Sequence, residues 1–193
     1  MLRIRAALAE LASKSEETRL HAARQAGLEF QRVARELSHD AWTKFSGELQ
    51  ERISELVTSS AAHEQLGGLA LIQELTPLEC EDHASKLTNF ANFVRLPFGA
   101  SADGAVLQAA AHALGLLAQA GGSETVEPEL RRALQRLKGA SRLESAVLAV
   151  HALAVHAPTL MYVYVAEVLE HKALCALQTD AAEIQHRALL QRV

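Results

Sequence analysis

A small residue returns along this chain at a nearly even interval, and that interval constrains the fold more than any other feature. Ala23, Gly68, Ala110, Ala146 and Ala188 are separated by 45, 42, 36 and 42 residues. Each stands a short way past a polar start: Ser15-Glu-Glu-Thr-Arg-Leu-His-Ala-Ala23, Ser60-Ala-Ala-His-Glu-Gln-Leu-Gly-Gly68, Ser101-Ala-Asp-Gly-Ala-Val-Leu-Gln-Ala-Ala110, Ser141-Arg-Leu-Glu-Ser-Ala146 and Asp180-Ala-Ala-Glu-Ile-Gln-His-Arg-Ala188. Ser and Asp at those starts suit helix N-caps, where a side-chain oxygen accepts from the free N–H groups of the first turn. A small residue a turn or two later lets two helix backbones approach where they cross; a large one would hold them apart in a close-packed interior. A period near ~40–47 residues is that of helix-pair repeat arrays.

The apolar residues between these points recur at helical spacing. Trp42, Phe45, Leu49, Ile53 and Leu56 step by three and four, as do Leu87, Phe90 and Val94; Leu107, Ala110, Leu114 and Leu117; and Leu130, Leu134 and Leu137. Each set marks one face of a helix that needs a partner. Short polar breaks separate them, at Ser59-Ser60, Thr76-Pro77, 97–101, 121–123, 138–141, 157–159 and Thr179-Asp180. Pro77, Pro97, Pro128 and Pro158 fall at or beside breaks, where a missing N–H costs little. Only Met161-Tyr-Val-Tyr-Val165 looks strand-like, and with no second strand to pair it we read it as helix. The expectation is about nine paired helices of 11 to 22 residues. The fold class is all-α: an α-solenoid of about four to five HEAT-type antiparallel helix pairs, one array over residues 1–193. Composition agrees, since Ala (36) and Leu (31) supply a third of the 193 residues while Gly and Pro number 10 and 4.

A net charge of −4 excludes a generally basic, phosphate-coating protein, so no nucleic-acid partner is expected. Two cysteines, Cys80 and Cys175, make neither a disulfide framework nor a zinc site, and a reducing, intracellular setting is the simplest reading. The apolar stretch before Glu10 is too short for a secretory signal. Residues 145–166 carry no Asp, Glu, Lys or Arg, long enough to resemble a membrane span. His151, His156 and Pro158 interrupt them, and two half-buried helices meeting at His156-Ala-Pro-Thr159 fit better than a span.

Candidate chemistry is sparse. His63-Glu64 is one His-Glu pair of the kind by which helical-repeat hydroxylases hold iron, but metal ligation needs several donors converging on a point, so no metal or other cofactor is expected. The Gly-x-Ser-x-Gly elbow, the phosphate-cradling Gly-x-x-x-x-Gly-Lys-Ser/Thr loop, His-Arg-Asp and Asp-Phe-Gly are all absent, leaving no catalytic residue to name. One basic stripe remains: Arg131, Arg132, Arg136 and Lys138, continued by Arg142. Without interleaved aromatics it reads as a solvated face or a contact for an acidic protein partner.

Six segments, in order, are Ser13-Lys-Ser-Glu-Glu-Thr-Arg19, Ile53-Ser-Glu-Leu-Val-Thr-Ser-Ser60, Glu64-Gln-Leu-Gly-Gly-Leu-Ala-Leu-Ile72, Phe90-Ala-Asn-Phe93, Ala113-Leu-Gly-Leu-Leu-Ala118 and Arg132-Ala-Leu-Gln-Arg-Leu137. Together they resemble the extreme N-terminal HEAT region of the target-of-rapamycin (TOR) kinases, from about Leu11 onward. The resemblance implies a scaffolding region of a serine/threonine kinase in nutrient and growth signalling, whose kinase domain lies far downstream. It also implies contacts with a Raptor-like subunit and with further HEAT repeats, within TOR complex 1. The implied address is the cytoplasm, with endomembrane association through the complex. Leu78-Glu-Cys-Glu-Asp82 and Met161-Tyr-Val-Tyr-Val165 depart from the family's more Gly-rich and Phe-rich stretches. The sequence stops at Val193 within a helical pattern, which reads as a portion of a larger chain. A stand-alone HEAT or armadillo adaptor is the alternative.

Overall fold

A computed structural model describes residues 2–138 and 143–169. Eight helices of nine to 21 residues come first: α1 (Leu2–Glu10), α2 (Glu16–Glu36), α3 (His39–Thr58), α4 (Ala62–Leu75), α5 (His83–Ala100), α6 (Gly104–Gly121), α7 (Ser123–Lys138) and α8 (Leu143–His156). Then follow α9 (Pro158–Met161), a 3-10 turn (Tyr162–Tyr164) and α10 (Val165–Leu169). No strand occurs among the described residues, and Met161–Val165 is helical. The chain divides into two compact units, Met1–Ala113 and Leu114–Val193, with the boundary inside α6.

In the first unit α1 packs on α2 and α3 on α4, while α2 also packs on α4 and α3 on α5. Odd helices therefore make one layer and even helices the other. Polar contacts follow the same rule: Arg5 to Glu48 (3.6 Å) joins α1 to α3, and Arg24 to Glu74 (3.9 Å) joins α2 to α4. Asn89 Nδ2 donates to Gln50 Oε1 (3.0 Å) between α5 and α3, and Gln73 Nε2 to the Ala109 carbonyl (2.9 Å) between α4 and α6. This is the paired helix-on-helix packing of an α-solenoid. All five residues of the α3 stripe, Trp42, Phe45, Leu49, Ile53 and Leu56, are buried. Helix α4, flanked by both layers, is buried from Gly67 to Ile72 without a gap, so it shows no polar face there. In the second unit α7 packs on α8, and both touch α9.

Helix starts depart from expectation in two places. Ser15 does cap α2, its Oγ accepting from Thr18 N (3.3 Å). At α4, however, the N-cap is Ala61, and it is Ser59, not Ser60, whose Oγ accepts from the Ala61 N–H. At α6, Asp103 displaces Ser101 as the cap: its Oδ1 accepts from Ala105 N (2.9 Å) and Val106 N (3.1 Å), while Ser101 Oγ accepts from the Asp103 N–H (3.1 Å). A carboxylate is the better acceptor at the positive end of a helix, which moves the start two residues on. Ser141 and Asp180 lie outside the described residues.

Two prolines also differ from expectation. Pro97 and Pro128 lie inside α5 and α7. Each forfeits one backbone hydrogen bond, but the buried neighbours Val94 and Phe98, and Val126 and Leu130, keep the helical path. The break after α5 falls instead at residues 101–103. Gly122, at φ 57°, makes the turn between α6 and α7 by itself, in a backbone region that favours glycine. Pro158 opens α9 at the first helical position. Among the described residues no single helix is long and apolar enough to cross a membrane; α8 and the 158–168 segment, the one apolar pair, are bent by 115°.

Candidate partner-binding surface

Helix α7 carries the arginine stripe opposite its buried face of Val126, Leu130, Ala133, Leu134 and Leu137. Arg131 is exposed and reaches Glu127, one turn back, at 3.8 Å. Arg132 donates to Glu129 Oε1 at 2.8 Å, and that carboxylate belongs to a residue only 5% exposed. Arg132 thus covers a buried acid as well as facing outward. A cleft of about 470 Å³ runs beside α7, and Arg131 and Arg132 line it together with Glu124, Glu127 and Pro128. Tyr164, from the 3-10 turn, lies beside Glu127; partial burial first, and then the charge of Glu127, hold its hydroxyl above the ordinary tyrosine pKa.

The structure brings Arg131 and Arg132 to one cleft; Arg136 is half-buried and outside its lining. Lys138 ends α7, and only its backbone is described; Arg142 lies outside the described residues. Two arginines beside two glutamates make a mixed-charge surface, suited to a protein segment with both signs of charge and poorly suited to a polyanion.

The small positions lie inside. Ala23, Ala110 and Ala146 are at most 1% exposed, and Gly68 is buried. A Cβ on Gly68 would stand 2.9 Å from both Leu56 Cβ and Val57 Cγ1 on α3. Its neighbour Gly67 is tighter, where a Cβ would meet the Leu11 carbonyl oxygen at 1.9 Å. Ala188 lies outside the described residues. Gly115, one repeat on, is a further close approach: a Cβ there would fall 2.2 Å from the His156 ring.

Sequence reasoning missed two buried cations. Arg19 donates from Nη1 to the carbonyls of Ser13 (2.9 Å) and Lys14 (3.0 Å), holding the α1–α2 connection. Lys86, 6% exposed, donates from Nζ to the carbonyls of Leu75 (2.7 Å), Thr76 (3.4 Å) and Leu78, and lies 5.8 Å from the Phe30 ring centroid. Burial lowers the Lys86 pKa, and burial likewise raises that of nearby Cys80. The signal for Lys86 was its place four residues before Phe90 on an apolar face, where a lysine must find acceptors. Among the described residues no three His, Cys, Asp or Glu side chains gather to hold a metal ion, and exposed His39 pairs with Glu81 at 3.1 Å.

No protein-family model matches the chain. Individual relatives do. The chain is 33% identical over 168 residues to the serine/threonine-protein kinase tor1 of Schizosaccharomyces pombe, a match covering 84% of this chain. It is 32% identical over 164 residues to the serine/threonine-protein kinase TOR of Arabidopsis thaliana, covering 81%. The chain carries a TOR-family region. The kinase TOR2 of Saccharomyces cerevisiae matches over 155 residues at 32% identity, and rice TOR over 163 at 35%. The chain spans only 6% to 7% of the length of these TOR relatives. The 193 residues of this chain include no His-Arg-Asp or Asp-Phe-Gly of a kinase centre.

Proposed function

We propose that this chain is part of the N-terminal HEAT scaffold of a TOR-like serine/threonine kinase in nutrient and growth signalling, and that its own work is protein binding, not catalysis. The observation that carries the reading is the match to a TOR kinase over 84% of the chain. The two-layer helix packing of the first unit supports it, because such arrays offer long surfaces to partners. The partners are a Raptor-like subunit and further HEAT repeats of the parent chain. The site of action is the cytoplasm, reaching endomembranes through TOR complex 1.

Within this reading, the mixed-charge cleft of α7 takes a segment of the Raptor-like subunit. Arg131 is the clean probe, because it is exposed while Arg132 also covers Glu129. Titrating the purified chain with a Raptor-like subunit should give saturable binding, weakened about fivefold or more by Arg131→Glu, chiefly through slower association. Absence of binding would defeat the scaffold reading, and unchanged affinity in the variant would remove this cleft from it.

A further inference from the structure

We propose that a cavity in the first unit, between α3 and α5, binds a small neutral molecule with an apolar, ring-sized body and one hydrogen-bond-accepting oxygen. The cavity measures about 390 Å³ and is walled by Phe30, Trp42, Leu49 and Phe90, all buried. That volume falls at the small end of the ~300–1,000 Å³ range of ligand pockets. Phe30 and Trp42 meet edge-on at 5.3 Å, so the wall is already built from rings in the orientation that another ring extends favourably.

The polar groups narrow the ligand. Trp42 Nε1 is buried and has no hydrogen-bond partner among the described residues. An indole N–H only donates, so what it lacks is an acceptor, and a buried donor left unpaired is costly. Lys86, also in the lining, has its ammonium engaged by the carbonyls of Leu75, Thr76 and Leu78. It lends positive potential without a spare donor, which disfavours a cation and favours an electron-rich oxygen. A phosphate or carboxylate would face the carboxylate of Asp82 in the same lining, where like charge disfavours it. A single neutral carbonyl or ether oxygen satisfies the indole and asks for nothing more. Gly47 stands in the lining on an exposed part of α3, where a Cβ would meet nothing within 4 Å, so a longer side chain there has room to occupy the opening. This inference is independent of the scaffold reading.

Trp42 is the one tryptophan of the chain, so its indole N–H gives a single resonance. Acetophenone is the probe, with ethylbenzene as its isostere lacking the carbonyl. In the 193-residue chain, acetophenone should move the indole N–H resonance saturably, and ethylbenzene should bind about fivefold more weakly, the effect of one hydrogen bond. Gly47→Leu, which fills the open space and favours helix, should abolish the response while circular dichroism stays unchanged; Gly47→Met is the second filler should the first variant fail to fold. An indole resonance indifferent to acetophenone, equal affinity for both probes, or an undiminished response in a folded filler variant would overturn the proposal.

Discussion

Gly67 and Gly47 lie on successive helices of one unit, and adding a methyl group should move stability in opposite directions. At Gly67 the new carbon would stand 1.9 Å from a backbone oxygen, which cannot swing aside as a flexible side chain can. Gly67→Ala should therefore destabilise by about 2–3 kcal/mol despite its better helix propensity. At Gly47 nothing lies within 4 Å, and Gly47→Ala should stabilise by about 0.5–1 kcal/mol. Denaturant unfolding of both variants checks the pair. Lys86→Met keeps the buried stem but strips the donor from three carbonyls, and should cost about 2–3 kcal/mol by the same measurement. Spacing pointed to Gly68, whereas the closest approach is at Gly67: a 3.6-residue period identifies a helix face but cannot say which of two adjacent small residues meets the neighbouring backbone. The Lys86 cradle was hidden for a different reason. Its acceptors are carbonyls at the end of another helix, set by tertiary packing and not by any local pattern.

The helices themselves were largely legible, because each apolar stripe steps at helical spacing and Gly, Pro or Ser marks most of the gaps. Their boundaries were not. Ser101 and Asp103 are both good capping residues two positions apart, and only the fold shows Asp103 taking two first-turn N–H groups. Asp103→Ala should cost about 1 kcal/mol of stability, and Ser101→Ala well under half of that. Equal losses in thermal unfolding would contradict the assignment. Pro97 and Pro128 misled in the same way, since proline's local preference for helix starts gave way to the burial of the residues around it. The arginine stripe was visible as charge, but its neutralisation by Glu127 and Glu129 on the same helix became clear only once the side chains were placed.

Across the whole molecule, helix pairing inside each unit and the TOR-family match support the proposed scaffold reading, in which a stretch of helical repeats is gripped by other proteins. The family was legible because six short segments kept their order, even though none of them is specific alone. The candidate surface was only half legible: Glu124 and Glu127 stand beside the arginines on the same helix, but the approach of Tyr164 to Glu127 comes from packing in the second unit. The account turns on this stretch working inside a kinase polypeptide many times its own 20.9 kDa. Immunoprecipitation with an antibody raised against these 193 residues, followed by mass spectrometry of the captured band, tests that directly. The account predicts a single large polypeptide that also yields kinase-domain peptides, together with a Raptor-like subunit. A band near 21 kDa bringing down neither kinase peptides nor that subunit would contradict it.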